Sequence, residues 1–269
     1  MPSVGPYTQT LALLLLALQL TALVSPAVAE RQLFVNCKSG KLNTDCSAFA
    51  DACRSLGHAV AVFQQQPQQP TTIRVAADGL CVEKLVQIAN AAHLTIEGVG
   101  GEALLAFNAT AGLNVTASSL LLRSLALTDA LTALAATDSV VQIASCTFAR
   151  NQAAIVAAGV RGNISVSITA STFVQNSRTG VSVIVPYARN RALSLVIVDT
   201  DFTDNNIMAR SGGALLSDGL LVAKPTLEHN DRANGAVELR GVRFLNNQQR
   251  SSDRPQLLTP LPGLIAIRA

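Results

Sequence analysis

The densest cluster of side chains that could carry out chemistry is acidic. It consists of Asp199, Asp201 and Asp204. Carboxylates that converge can bind Ca²⁺, and beside a basic partner such as Arg178 or Arg189 they can support proton transfer. If Phe202 points into a core, Asp199 and Asp201 have the opposite parity and would project outward together. The simpler interpretation, which we favour, is a solvated outer face followed by a turn aspartate.

The remaining candidate groups for catalysis predict no site. The three histidines, His58, His93 and His229, have no carboxylate or serine at the spacing of a triad or a metal motif. The glycine cluster at 98–101 has the character of a bend and not of a phosphate-binding loop. We therefore expect no metal and no cofactor.

Four of the five cysteines are crowded near the N-terminus. They are Cys37, Cys46, Cys53 and Cys81. In a secreted chain they would form disulfides, with three possible pairings, whereas a zinc site would need the close C-x₂-C pairs that are missing. Cys146 stands alone, two residues before Phe148, where a small buried residue is expected. It is interpreted as an inert buried thiol, with a reactive thiol as the alternative.

The N-terminal 29 residues have the pattern of a secretory signal peptide. Residues 11–24 are apolar except for Gln19 and Thr21, and Ala27 and Ala29 suit a signal peptidase. An uncleaved signal anchor is the alternative. After cleavage we expect a chain without a membrane segment, secreted to the extracellular space or the cell wall.

Composition argues against a nucleic-acid partner. The net charge of +3 comes from scattered arginines, there is no Trp and there are only two Tyr. A nucleic-acid groove needs clustered basic residues with aromatics between them. The 240 residues left after removal of 29 from 269 are enough for one domain with a sizeable core.

One phrase occurs four times between residues 140 and 247 and predicts the fold. Each copy has a Phe with an Asn three residues later, and apolar residues seven and five positions before the Phe. The Phe residues are Phe148, Phe173, Phe202 and Phe244, and the Asn residues are Asn151, Asn176, Asn205 and Asn247. Apolar pairs spaced by two share one face of a strand, and such self-similarity is typical of a solenoid.

The apolar pairs recur along most of the chain and give the coil count. They begin at residues 73, 94, 120, 141, 166, 195 and 237, and a last one begins at 264. Most intervals fit one turn of a parallel β-helix, and the 42-residue step predicts an insertion at about 220–235. We therefore predict an all-β fold, a parallel β-helix solenoid of about seven coils over residues 71–269.

Residues 30–70 are predicted to form a Cys-rich N-terminal cap that ends in a Gln/Pro-rich loop. Thr44 and Asp45 suggest a helix start and Gly57 a stop. The predicted buried face of this helix is Ala48, Phe49, Ala52, Cys53 and Leu56. Because a solenoid needs its first coil covered, we interpret this segment as a capping helix.

The repeated Phe and Asn residues are expected to be structural. Each Phe would point into the core and stack on the Phe of the next rung. Each Asn would occupy a bend in the αL conformation, with its amide in a ladder from rung to rung.

These motifs resemble those of the right-handed parallel β-helix, or pectin-lyase-like, superfamily. The repeats are similar to those of chlamydial polymorphic outer membrane proteins, with F-x-x-N four times and G-G-A-L at 212–215. The resemblance covers about residues 71–269 and implies the right-handed fold, which polysaccharide lyases and hydrolases also use. Of the polygalacturonase blocks only N-T-D occurs, at 43–45 in the cap, and a pectate lyase site would have to use the three aspartates.

The function favoured at this stage is a secreted, non-catalytic β-helix protein that binds a glycan or a surface protein. The alternatives are a polysaccharide lyase or hydrolase and a fragment of a larger adhesin. In a eukaryotic host, the triplets at Asn108, Asn114 and Asn163 would be glycosylation acceptors, with Asn163 preferred.

Overall fold

The structure is a computed structural model that describes residues 29–42, 44–184, 192–208, 214–217, 220–223, 234–250 and 265–267. Several predictions fall outside these residues: the signal peptide up to residue 28, the first residue of N-T-D, the glycines at 212–213, Arg189, His229 and Leu264. In the described residues, no helix is long and apolar enough to cross a membrane.

The chain is built of short strands. In order they are β1 (Arg31–Val35); β2 (Thr71–Ala76), β3 (Leu80–Val82), β4 (Val86–Ala89); β5 (Leu94–Val99), β6 (Ala103–Ala106), β7 (Ala111–Thr116); β8 (Ser119–Arg123), β9 (Leu125–Thr128), β10 (Thr132–Thr137); β11 (Val140–Ala144), β12 (Thr147–Ala149), β13 (Ala153–Ala158); β14 (Ile164–Thr169), β15 (Thr172–Val174), β16 (Thr179–Ile184); β17 (Ala192–Val198), β18 (Asp201–Thr203), β19 (Asn206–Met208), β20 (Ala214–Ser217), β21 (Leu220–Ala223); β22 (Asn234–Arg240), β23 (Arg243–Leu245), β24 (Gln248–Arg250) and β25 (Ile265–Ile267). In the part of the chain that the structure describes, the helical elements are a 3-10 turn, Phe49–Asp51, and one α-helix, α1 (Leu56–Phe63).

Among the described residues the strands form three long sheets, to each of which a regular coil contributes one strand, and a small fourth sheet in which β19 pairs with β24. The first sheet has the order β1-β2-β5-β8-β11-β14-β17-β22-β25, the second β23-β18-β15-β12-β9-β6-β3, and the third β20-β21-β16-β13-β10-β7-β4. Neighbours are parallel except for β20 and β21, which pair antiparallel. The fold is therefore a parallel β-solenoid, as predicted.

The regular part of the solenoid has five complete coils, from β2 to β16, and not the seven predicted. Further rungs follow, but their connections are irregular. β21 continues the third sheet on β16, so the first residues of the predicted insertion at 220–235 belong to a rung. Residues 224–233 lie outside the described part.

The predicted rung alignment holds between residues 94 and 237 and shifts at both ends. Leu94, Leu120, Val141, Val166, Leu195 and Val237 are successive register partners. Ile73, however, pairs with Ile96 and not with Leu94, and Val237 pairs with Ile265 and not with residue 264. At the first shift, Gly98 lies opposite Val75, where a Cβ would come within 2.1 Å of the Ser124 carbonyl oxygen. At this rung the apolar pattern is interrupted by Gly98, because the close backbone of Ser124 leaves no room for a side chain.

The core is a column of inward side chains that continues from rung to rung. The rings of Phe148 and Phe173 stack at 5.0 Å and 3°. Phe173 and Phe202 follow at 4.7 Å, and Phe202 and Phe244 at 5.1 Å. The first three of these Phe side chains are fully buried. This stack gives the second sheet its inner face.

The Asn ladder lies next to the stack and works through buried amides. The Nδ2 of Asn176 donates to the Phe148 carbonyl at 3.0 Å, and its Oδ1 accepts from the Asn151 N–H at 3.1 Å. Asn205 repeats both bonds to the coil of Asn176. Each amide therefore satisfies the bend of the preceding coil.

The prediction that these Asn residues adopt αL is wrong. The positive φ belongs to the residue before each Asn: 55° at Arg150, 56° at Gln175, 55° at Asp204 and 53° at Asn246. The left-handed residue turns the chain at the surface, and this turn directs the next side chain inward. The Asn is thus free to bond as a buried amide.

Hydroxyl groups form a second ladder, and Cys146 takes one of its positions. The hydroxyl of Ser171 donates to the Thr169 carbonyl and accepts from the Cys146 N–H at 3.2 Å. The Cys146 thiol donates to the Ala144 carbonyl at 3.4 Å in the same way. Burial raises the pKa of this thiol to about 11. The geometry fits an inert thiol.

The capping helix is present, but it begins eleven residues later than the predicted start at Asp45. Cys46 has φ 57°, which no helix accommodates, and Asp45 instead accepts the Ser47 N–H in a turn. The true N-cap is Ser55, whose Oγ accepts the His58 N–H, so Gly57 lies inside α1 and does not end it. The helix packs against β1, β2 and β4 and covers the first coil.

Two disulfides hold the cap together. Cys37 pairs with Cys81, and Cys46 pairs with Cys53. The first joins the cap to β3, and the second closes a short loop. Such bonds fit an oxidising environment.

Candidate functional site

An open groove of about 350 Å³ lies on the outer surface where the cap meets the first two coils. Its walls come from β1, β2, the bends after β2 and β5, and the 3-10 turn. The lining residues are Phe34, Phe49, Arg74, Ala76, Ala77, Asp78, Val99 and Gly100.

Strand alternation places the key side chains on the outer face. Leu33 and Val35 are buried, so Phe34 between them points outward. The parallel register then sets Arg74 beside Phe34 and Glu97 beside Arg74 on successive rungs. The groove is therefore fixed by the rigid first sheet on one side.

Two aromatic rings form the upper wall. Phe34 and Phe49 meet edge to face with centroids 6.2 Å apart and an angle of 84° between the rings. Phe49 is 64% exposed, so much of its ring faces solvent. The wall therefore offers an aromatic surface to a ligand.

Arg74 is oriented by an ion pair to Glu97. Its Nε lies 3.1 Å from Glu97 Oε1, and the guanidinium side chain is 40% exposed. Among the described residues, no hydrogen bond involves its two terminal amino groups. Since Asp78 lines the same groove from the exposed bend after β2, the site holds donors and acceptors beside an aromatic surface.

Small residues also line the groove, among them Ala76, Ala77 and Gly100. Gly100 has φ +84°, and a Cβ there would meet nothing within 4 Å. Its role is therefore to allow the left-handed bend that follows β5 next to Val99.

The three aspartates proposed as a catalytic cluster do not form one. Asp199 and Asp204 are exposed residues at opposite ends of β18, both with positive φ, of 47° and 55°. Asp201 projects from the strand between them and forms a bidentate ion pair with Arg243 at 2.6 and 2.5 Å. No group of three metal-ligating atoms within 4.8 Å among the described residues includes any of them. Among the described residues, no hydrogen bond or ion pair joins the side chain of Arg178 to any of these three aspartates.

Two groups, one in the cap and one between the cap and the first coil, have the spacing of metal ligands. They are Cys46, Cys53 and His58, and Cys37, Cys81 and Glu83. In both groups the two cysteines are joined in a disulfide. A disulfide sulfur is not the thiolate that metals bind, so neither group is a metal site in this state.

Glu83 has a role that the sequence did not indicate. Its carboxylate oxygens accept the N–H groups of Leu56 at 2.5 Å and Gly57 at 3.2 Å, at the start of α1. Burial raises the pKa of Glu83, and the two backbone bonds oppose that shift. Glu83, which follows β3 in the first coil, therefore caps the N-terminus of α1.

The remaining predicted residues lie apart from the groove. His58 is half-buried on α1, and His93 is exposed in the bend before β5. Asn108 is exposed with φ 45°, Asn114 is half-buried on β7, and Asn163 is exposed just before β14. Neither His58 nor His93 forms an ion pair with a carboxylate of the described residues.

The sequence pattern does not indicate the groove, because it predicts that Phe49 lies on the buried face of a helix. Its position inside a short Cys-bounded loop was the signal that could have shown it to be exposed.

No protein-family model matches the sequence, and no curated protein is significantly similar to it.

Proposed function

We propose that this chain is a secreted, non-catalytic β-helix protein of the cell surface, wall or matrix, and that it binds glycan in the Phe34–Phe49 groove. The observation that carries the proposal is the exposed Phe49 ring beside the anchored guanidinium of Arg74. Secretion is supported by the two disulfides together with the predicted signal peptide.

The chemistry of the groove suits a sugar ring. An aromatic surface can cover the apolar C–H face of a pyranose, while Arg74 donates to hydroxyl groups and Asp78 accepts from them. The groove is open along the surface, so a longer chain could extend beyond it. A small-molecule pocket, in contrast, would enclose most of its ligand.

The finer relationship also belongs to this proposal. We infer kinship with the pectin-lyase-like superfamily and with the chlamydial F-x-x-N repeats. The support is that the four Phe residues stack and the four Asn residues bond along successive coils. The glycosylation of Asn108, Asn114 or Asn163 is a prediction of the same kind.

The proposal is tested by titrating the secreted protein with cello-oligosaccharides and oligogalacturonides in a calorimeter. We expect Phe49→Ala to weaken binding about three- to tenfold, the value of one aromatic contact. Val160→Ala is the matched control, because Val160 is also exposed but lies far along the chain from the groove-lining residues. Equal affinity of the Phe49→Ala and wild-type proteins would refute this site.

The alternative activity is checked in parallel. Incubation with polygalacturonate, with and without Ca²⁺, should release no unsaturated product detectable by ultraviolet absorbance. Product formation that is lost in Asp201→Ala would instead support a lyase at the aspartates.

A further inference from the structure

The loop from Cys46 to Cys53 carries the exposed aromatic wall of the groove. The disulfide joins its two ends, seven positions apart, and Phe49 lies near its middle. Residues 47–50 are all exposed, and the 3-10 turn buries none of its residues. Packing therefore contributes little to holding Phe49 in place.

Both ends of the loop are bonded to one residue of the solenoid edge. The Phe34 N–H donates to the Cys46 carbonyl at 2.8 Å, and the Cys53 N–H donates to the Phe34 carbonyl at 2.8 Å. The loop thus arches over Phe34, and its own aromatic ring returns to meet the Phe34 ring. Both cysteine side chains are fully buried.

Polar contacts support both halves of the loop, and in the first half the Ser47 N–H and hydroxyl donate to Asp45 Oδ1 at 3.1 and 2.8 Å. The Thr44 hydroxyl donates to the Asp51 carbonyl at 2.7 Å, and Lys41 forms an ion pair with the Asp51 carboxylate. Both Lys41 and Asp51 side chains are at least half exposed, so this pair contributes little. Backbone bonds from the Lys41 N–H to the Ala52 carbonyl and from the Asp51 N–H to the Ala48 carbonyl also hold the loop, and the disulfide adds a covalent link between its two ends.

We propose that the Cys46–Cys53 disulfide is a positioning device that pre-organises Phe49 for ligand binding. This inference rests on the proposed function of the groove. It separates the two disulfides by role: Cys37–Cys81 fastens the cap to the first coil, whereas Cys46–Cys53 orders the binding loop. Pre-organisation raises affinity because the loop loses less entropy when the ligand binds.

A tryptophan at position 49 tests the positioning without any ligand. The chain contains no Trp, so Phe49→Trp supplies a single reporter. In the Phe49→Trp background, Cys46→Ser with Cys53→Ser should lower the fluorescence anisotropy and increase quenching by acrylamide. Cys37→Ser with Cys81→Ser is the matched control and should change both signals less. Unchanged anisotropy and quenching after loss of Cys46–Cys53 would overturn the proposal.

Binding supplies the second measurement. With the oligosaccharide probes used above, loss of Cys46–Cys53 should weaken binding about threefold or more while far-UV circular dichroism stays unchanged. Unchanged affinity would contradict the role in binding. If neither probe binds the wild type, the proposed function of the groove fails, and the anisotropy still decides whether the disulfide positions Phe49.

If the Cys46→Ser, Cys53→Ser protein does not fold, the same reporter is used on the folded Phe49→Trp protein during phosphine reduction. The phosphine is oxidised to its oxide as the S–S bond is cleaved to two thiols, and one water supplies the oxygen and both protons. Mass spectrometry after alkylation identifies the time at which Cys46 and Cys53 are reduced, and anisotropy should fall at that time. A constant anisotropy through that reduction would again overturn the proposal.

Discussion

The repeating coils and the Cys46–Cys53 loop of the N-terminal cap are held in place by different interactions. In the coils around Phe173, each polar group of the bend meets a partner on the neighbouring rung, and each ring stacks on another. In the Cys46–Cys53 loop of the cap, the Phe49 ring is left exposed and a disulfide joins the two ends of the loop. Binding capacity is therefore expected where the repetition stops, because the repeated side chains already bond one another.

The largest contrast should come from the same substitution made in both regions. Phe173→Ala leaves a cavity between two stacked rings and should lower the free energy of unfolding by about 4 kcal/mol. Phe49→Ala removes an exposed ring and should cost less than about 0.5 kcal/mol. Urea denaturation of both proteins measures the difference, and similar losses would break the comparison.

A somewhat smaller loss is expected when one amide is removed from the ladder. Asn176→Ala leaves the Phe148 carbonyl and the Asn151 N–H without their side-chain partner, at about 3 kcal/mol. Gln175→Asn is the control, since residue 175 is exposed and Asn tolerates its positive φ. A loss below about 1 kcal/mol for Asn176→Ala would mean that water replaces the amide in the bend.

The smallest effect should distinguish the cap by its response to pH. The folded state raises the pKa of Glu83 above its ordinary value of 4.5 because the carboxyl group is buried. The folded protein therefore binds this proton more tightly, so the contribution is complete below pH 4.5 and is lost as pH rises through the raised pKa. The stability of the wild type relative to Glu83→Gln should fall over that interval in thermal unfolding.

Gln175→Asn again serves as the control for this measurement, because it removes no titratable group. Its stability relative to the wild type should be independent of pH. A difference between wild type and Glu83→Gln that stays constant with pH would show that burial does not govern this carboxyl group.

The repeat made the coils predictable from sequence, whereas the cap depended on distant partners. Apolar pairs at 94, 120, 141, 166, 195 and 237 each recur in register, because a strand's inner face depends on local alternation. The predicted helix start was wrong. Thr44 and Asp45 are residue types that cap helices, but the left-handed conformation of Cys46 prevents a helix from beginning there.

The groove could not be predicted for a related reason. Its ring pair combines Phe34 on β1 with Phe49 in a loop, and its guanidinium is oriented by Glu97 on the next coil. Such neighbours are set by the order in which coils are stacked, which local propensity does not encode. The buried Glu83 cap of α1 is a contact of the same kind, 27 residues from Leu56.

The direction of the amide ladder has a consequence for synthesis. In every described case the Asn of a later coil bonds the backbone of the coil before it, as Asn205 does for Asn176. A coil emerging from the ribosome is therefore incomplete until the next one has been translated. During synthesis from the N-terminus, each newly made turn therefore brings the amide that bonds the backbone of its predecessor.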